Sequence, residues 1–112
     1  MRVIVCGSRK WRDRDAITNR LADLPGDSVI VHGNAAGADR IAHQEGQKLG
    51  LLVEPHPADW ETHGKSAGPI RNREMARLGA DLCIAFWDGS SVGTGHMMKT
   101  AREAGIPVEV LS

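Results

Sequence analysis

The chain has 112 residues, 41% of them hydrophobic and 25% charged, which bounds it to one domain, 1–112, around a single core. Lysine plus arginine and aspartate plus glutamate both number 14, so no global field draws the chain to nucleic acid or to an anionic membrane, and any basic site must be local. No apolar run approaches a membrane span and no leader pattern opens the sequence; with Cys6 and Cys83 in apolar runs as small buried thiols, the expectation is a cytoplasmic protein.

The first element is Arg2 to Cys6, a continuously apolar, β-branched run of the kind covered on both faces in a parallel sheet. Gly7-Ser8-Arg9-Lys10-Trp11 ends it. Asp13 then caps a helix carrying Ile17, Leu21 and Leu24 on one stripe, which Pro25-Gly26 stops. A second buried strand, Ser28 to Val31, gives way to His32-Gly33-Asn34-Ala35-Ala36-Gly37. The next helix presents Ala38, Ile41, Ala42 and Leu49 on one face and ends at Gly50.

Leu51 to Glu54 reads as the third strand, followed by the longest irregular segment, Pro55 to Gly68, whose length marks a functional loop. Pro69 is placed as the first helical residue of a helix in which Arg71, Met75 and Leu78 share a face. Leu82 to Phe86 is the fourth strand. A small-residue loop, Trp87 to Thr94, leads into a helix starting at or just after Gly93, and Pro107 to Leu111 closes the chain as a fifth strand. Five strands alternating with four helices imply an α/β fold: a Rossmann-like three-layer α/β/α sandwich with a mostly parallel sheet of order 3-2-1-4-5.

In such sheets ligands bind beyond the carboxyl ends of the strands, at the switch point between strands 1 and 4. The chemistry-bearing residues collect on that edge. Trp11, Trp60 and Trp87 follow strands 1, 3 and 4, together with His32, His56, His63, Arg9, Lys65 and Arg71, while the opposite edge carries turn residues and little more. Three glycine turns point there as well: Gly7-Ser8-Arg9, Gly33 to Gly37, and Gly89 to Gly95. Each precedes a helix, so three sets of free amides converge on an anion or nucleotide. Taken singly, each turn also fits ordinary loop geometry, and loop tryptophans also serve to cover the ends of a core.

Two sharper phosphate motifs fail. No G-x-G-x-x-G follows a strand, and Gly64-Lys65-Ser66 lacks the P-loop glycine, which is Asp59 here. Arg9 and Arg71 are the candidate phosphate cations. Arg71 sits in a first helical turn, where the dipole opposes a cation unless it meets an anion. Ser8, Ser90, Ser91 and Thr94 offer hydroxyls, though Ser91 or Thr94 also suits a helix cap. Ser90, His32 and Asp88 hold the residue types of a Ser-His-Asp set without a nucleophile elbow. Cys6 reads as a buried strand thiol before a nucleophile. His56, Asp59 and His63 are irregularly spaced for a metal, so none is expected. Asp39 serves equally as a dipole partner of its own helix.

The motifs also form a series: Gly7-Ser8-Arg9 with Trp11 and Asp13; His32-Gly33-x-x-x-Gly37-Ala38-Asp39; Ala58-Asp59-Trp60; Ala67-Gly68-Pro69-Ile70-Arg71-Asn72 with Met75; and Ala85-Phe86-Trp87-Asp88-Gly89 with Gly93-Thr94. Over nearly its whole length the chain resembles the YspA-like branch of the SLOG superfamily. The resemblance implies a Rossmannoid fold and a ligand derived from a nucleotide, NAD or ADP-ribose, in settings that include phage–host conflict. A related branch, the LOG cytokinin-activating enzymes, cleaves N-glycosidic bonds of nucleoside monophosphates with an arginine and the glutamate of P-G-G-x-G-T-x-x-E. Gly93-Thr94 and Arg71 match parts of that apparatus, but the glutamate position is Met97, and a thioether neither stabilises an oxocarbenium-like centre nor activates water. Asn34 and Ala36 stand where the YspA-like branch usually has Gly and Arg.

Three readings therefore stand. The first is a cytoplasmic nucleotide- or ADP-ribose-type binding or sensing module. Its ligand-binding residues are Gly7, Ser8, Arg9, Trp11, His32, Gly33, Asn34, Gly37, Asp39, Trp60, Arg71, Asn72, Trp87, Asp88, Gly89, Ser90, Gly93 and Thr94, and it needs no cofactor. The second is an N-glycosidase using Arg71 with Glu74 or Asp88. The third, a DNA-associated domain, is disfavoured by the balanced charge. A domain this small suits homo-oligomerisation, but no stripe identifies an interface.

Overall fold

The computed structural model describes residues 1–112. Its elements run β1 (Arg2–Gly7), α1 (Arg14–Ala22), β2 (Val29–His32), α2 (Ala38–Lys48), β3 (Leu52–Pro55), α3 (Trp60–His63), α4 (Ala67–Leu78), β4 (Leu82–Phe86), α5 (Val92–Glu103) and β5 (Val108–Leu111), with a turn of 3-10 helix at Gly64–Ser66. All strand pairings are parallel, in the order β3-β2-β1-β4-β5. The expected order therefore holds, and the sheet is wholly parallel.

The side-chain alternation of the central strands builds two cores, one on each face of the sheet. Val3 and Val5 of β1 point with Ile84 and Phe86 of β4 toward Ile17 and Leu21 of α1 and Ala38 and Ala42 of α2. Ile4 and Cys6 point with Cys83 and Ala85 toward Met75 and Ala76 of α4 and Met97, Met98 and Ala101 of α5. Phe86 is wholly buried, and a side chain of its size stabilises the fold by roughly 1.5–3 kcal/mol through burial. No helix is long and apolar enough to cross a membrane.

Several expectations need correction. β3, expected at Leu51 to Glu54, runs Leu52–Pro55 as an edge strand with Leu52 66% exposed. The segment after β3 is largely helical: the Asp59 carboxylate caps α3 by accepting from the Thr62 amide at 3.1 Å, which makes five helices rather than four. Pro69 is the third residue of α4, not the first; a proline fits there because first-turn amides have no intrahelical acceptor to lose. Leu49 and Leu78 lie at helix ends, each at least 40% exposed, outside the apolar faces assigned to them. α5 starts at Val92, one residue early, because Ser91 takes the cap.

Candidate functional site

β1 and β4 end side by side, and their chains leave in opposite directions around the switch point. Ser8 donates its amide to Phe86 O at 3.0 Å, and its own carbonyl accepts from Ala38 N at 3.2 Å, tying the end of β1 to β4 and to the start of α2. This junction demands a glycine at position 7, since a β-carbon there would stand 2.5 Å from Ala38 Cβ and 2.6 Å from Phe86 O. Above the junction opens a cleft of about 290 Å³, walled by the 33–37 loop, α4 and the start of α5, and floored by Cys6, Met75 and Met97.

The 33–37 loop is shaped by two left-handed residues, Asn34 (φ 57°) and Gly37 (φ 77°). Asparagine tolerates that conformation best among residues with a side chain, which gives position 34 a backbone reason for carrying it. The loop is held from within by Asp39, whose Oδ2 accepts from Gly33 N at 2.9 Å and Ala35 N at 3.3 Å. Asp39 is 5% exposed and is the one carboxylate lining the cleft. Burial pushes its pKa up to about 6, against the pull of those two amides and of the Arg71 and Arg9 charges.

Facing Asp39, Arg71 rises from α4 and lies across Gly33. Its Nη1 donates to the Gly33 carbonyl and, at 3.4 Å, to His56 O; its Nε donates to Asn72 Oδ1 at 2.9 Å. Nη2 has no partner, and Arg9 has none at all. Burial lowers the pKa of Arg71, with Asp39 favouring its charge and Arg9 opposing it. Asn72, itself buried, passes its amide to Nδ1 of His96 at 3.1 Å and reaches Gly93 O at 3.5 Å, so α4 is joined to the first turns of α5. An accepting Nδ1 leaves the neutral imidazole's proton on Nε2. Burial, followed by the charges of Arg73 and Lys99, lowers the pKa of His96.

The third wall is the N-terminus of α5. Ser91 Oγ accepts from Thr94 N at 3.4 Å, and Thr94 is buried against the cleft. Val92 and Gly93 supply first-turn amides that have no acceptor within the helix. Two guanidinium groups thus meet a helix dipole end across one opening, an arrangement suited to a phosphate.

Of the residues expected in the site, Gly7, Arg9, Gly33, Asp39, Arg71, Asn72, Gly93 and Thr94 line this cleft. Trp60 and Asn34 line an adjoining recess of about 200 Å³ that shares Arg9, Gly33 and Arg71 with it. Gly37 acts behind the wall, as the N-cap of α2.

The others lie elsewhere. Trp11 packs edge-on against Phe86 and donates to Asp13 O at 2.9 Å, and Trp87 donates to Ser91 O at 3.1 Å while covering the α4–α5 core. Both tryptophans cap the core ends. His32 is fully buried: Nδ1 accepts from Asn34 N at 3.0 Å, so Nε2 donates to His43 Nδ1 at 2.8 Å, and burial together with His43, His56 and Arg71 lowers its pKa to about 4. Asp88 is turned away, accepting from Ser8 Oγ at 2.9 Å and from the amides of Ser90 and Ser91 at 2.9 and 3.0 Å, which hold it down to about pKa 2; Gly89 and Ser90 belong to that turn. Glu74 is exposed and paired with Arg77 at 2.7 Å. Neither nominated acid reaches the cleft.

The sequence placed Ala35 and Val92 in the site only as backbone of the glycine turns, read Cys6 as a buried strand thiol, and gave no role in the site to Met75, His43 or His96. The i, i+4 spacing of Arg71 and Met75 was the one signal for the floor, since it places the thioether directly beneath the guanidinium's face of α4.

The model of the YspA, cpYpsA-related SLOG family matches residues 1–63. The chain is 51% identical to the gene 61 protein of Mycobacterium phage D29, over 96% of this chain and 93% of that one. Its structure resembles DNA processing protein A from Streptococcus pneumoniae, with a TM-score of 0.79 and 22% identity over 99% of this chain; it spans 50% of that one. It also resembles the C-terminal domain of a hydrogenase from Pyrococcus furiosus, with a TM-score of 0.55 and 18% identity over 97% of this chain and 89% of that one. At these identities the two structures share the fold with this chain.

Proposed function

We propose that this chain, which belongs to the YspA, cpYpsA-related SLOG family, is a binding or sensing module for a phosphate-containing, nucleotide-derived small molecule. One observation carries the reading. Arg9 and the Nη2 of Arg71 are unpartnered, and they face the free first-turn amides of α5 across a single cleft. Cations left without anions beside a helix N-terminus match a phosphate and little else in a chain of balanced charge. The neighbouring recess beside Trp60 offers an aromatic face to a base or a second sugar.

Binding fits the residues better than hydrolysis. Met97 forms part of the floor where the LOG-type glutamate would stand, and Glu74 and Asp88 are both committed outside the cleft. A DNA-associated role draws on the likeness to DNA processing protein A, but the enclosed cleft suits a small ligand better than a strand.

A thermal-shift screen of nucleotides and ADP-ribose derivatives tests the proposal. A ligand at a hundred times its Kd adds about 2.7 kcal/mol of stability. The shift should vanish in Arg9→Ala and Arg71→Ala. A screen without any stabilising member overturns the reading, as does release of free base from a nucleoside monophosphate in place of retention.

A further inference from the structure

Asp39 is an odd residue for a phosphate pocket, because a carboxylate repels the anion that its neighbours attract. Its hold on the loop does not explain it. Both loop amides, Gly33 N and Ala35 N, are received by Oδ2 alone, and a neutral acceptor would do that without burying a charge. Oδ1 accepts from no group in the protein, and the residue is 5% exposed, on the cleft wall. Nor is the charge consumed by its surroundings. Neither Arg9 nor Arg71 forms an ion pair with it, although both face it. The one other ionisable group at the floor, Cys6, is a buried thiol pushed well above its ordinary range by the contact with Cys83 and by burial. The cleft therefore displays free donors on one side and one free, charged acceptor on the other.

We infer that the ligand brings a hydroxyl to Asp39 Oδ1, so that the site is built for a phosphorylated sugar whose phosphate and sugar hydroxyl are read by opposite walls. The inference rests on the phosphate reading above and narrows it: a bare phosphate satisfies Arg9, Arg71 and the α5 amides but leaves Asp39 facing an anion. A ribose phosphate satisfies both walls at once. A hydroxyl donating to a carboxylate is among the stronger hydrogen bonds, and burial strengthens it further. Asp39 is then a specificity-determining residue. It disfavours free phosphate and phosphate monoesters that lack a hydroxyl within reach.

Calorimetric titration of the full chain with ribose 5-phosphate and methyl phosphate, above neutral pH, tests the inference. Wild type should bind ribose 5-phosphate about ten-fold more tightly or better, the usual worth of a hydrogen bond to a charged group. In Asp39→Asn that gap should close through weaker ribose 5-phosphate binding, with methyl phosphate held or tightened by loss of the like charge. Equal affinities in wild type, or equal weakening of both ligands in the variant, overturn the assignment of Asp39 and leave the phosphate site standing. Failure of both ligands to bind wild type overturns the phosphate site as well. Should Asp39→Asn not fold, 2-deoxyribose 5-phosphate and tetrahydrofurfuryl phosphate, the same ring with no hydroxyl, decide the matter on the unmodified chain. Loss of every ring hydroxyl must cost affinity, and indifference to it sinks the inference.

Discussion

The guanidinium of Arg71 rests on the backbone of Gly33: Nη1 donates to the Gly33 carbonyl, and a β-carbon at position 33 would stand 2.9 Å from Nε. The glycine is there for the arginine, because its φ lies outside the left-handed region and alanine could adopt the same backbone. Gly33→Ala should therefore displace the far end of a flexible side chain at a cost of about 1 kcal/mol, near the centre of the range for single substitutions. Phosphate-ligand affinity should fall by an order of magnitude or so, as for a lost charge-assisted hydrogen bond. Urea denaturation beside calorimetric titration separates the two effects.

Position 34 makes the opposite prediction. Asn34 has a left-handed backbone, so Asn34→Gly should be neutral or slightly stabilising, whereas Asn34→Val should cost about 1–2 kcal/mol. Chemical denaturation of the two variants, at unchanged m-value, reads the difference.

Asp39 and His32 should oppose each other in the dependence of stability on pH. Asp39 has a folded pKa raised to about 6, so its contribution is present below the unfolded value and lost as pH rises through 6. His32 is lowered to about 4, so its contribution is present above its unfolded value near 6.5 and lost as pH falls toward 4. Each is worth up to about 3 kcal/mol over its range, with opposite slopes. The wild-type profile between these limits should be nearly flat. Asp39→Asn should gain stability relative to wild type as pH rises from about 4 to 6, leaving the His32 slope exposed. Denaturation midpoints for both proteins across that window check it; parallel profiles would refute it.

Trp60 lines the recess beside the ligand cleft and is 50% exposed, whereas Trp11 and Trp87 are engaged in the core ends. A ligand with an aromatic base should alter the intrinsic fluorescence, and Trp60→Phe should abolish most of that change without shifting the melting temperature appreciably. If the signal survives in Trp60→Phe, the base does not use this recess.

Glu74→Gln should bind the same ligand within about two-fold of wild type, since surface changes away from a site are usually worth within ±0.5 kcal/mol. Asp88→Asn should instead loosen the turn that places α5, which heat will reveal as a lowered melting temperature. A ten-fold loss of affinity in Glu74→Gln would return that acid to the site.

The sheet order was legible because β1 and β2 are short, β-branched runs and β4 a short apolar one, alternating with helix-period segments, and right-handed crossovers leave few arrangements. Leu51-Leu52-Val53 is as apolar as a covered strand, and it was the expected order rather than its own residues that placed strand 3 at the edge, where Leu52 lies open. α3 escaped notice because one helical turn has no periodicity to detect, and Pro69 drew the start of α4 toward itself. Within the cleft, the glycine turns and Arg71 could be read from type and position. The separation of Asp39 from Glu74 and Asp88 could not, because it depends on which carboxylate the folded 33–37 loop buries and which ones neighbouring amides and arginines engage.

The amide of Asn72 gives the link between α4 and α5 a direction. Hydrogens run outward from Arg71 through Oδ1 and Nδ2 of Asn72 to the bare Nδ1 of His96. A second proton on that imidazole would set two donors face to face, so acidification works on this latch from its outer end. The contact between the cleft's two helical walls is thereby made by a lone pair on His96, and aspartate at position 72 would reverse it: a carboxylate accepts from Arg71 and from a proton carried on Nδ1 of the imidazole, so acidification would tighten the link that it loosens in the native chain.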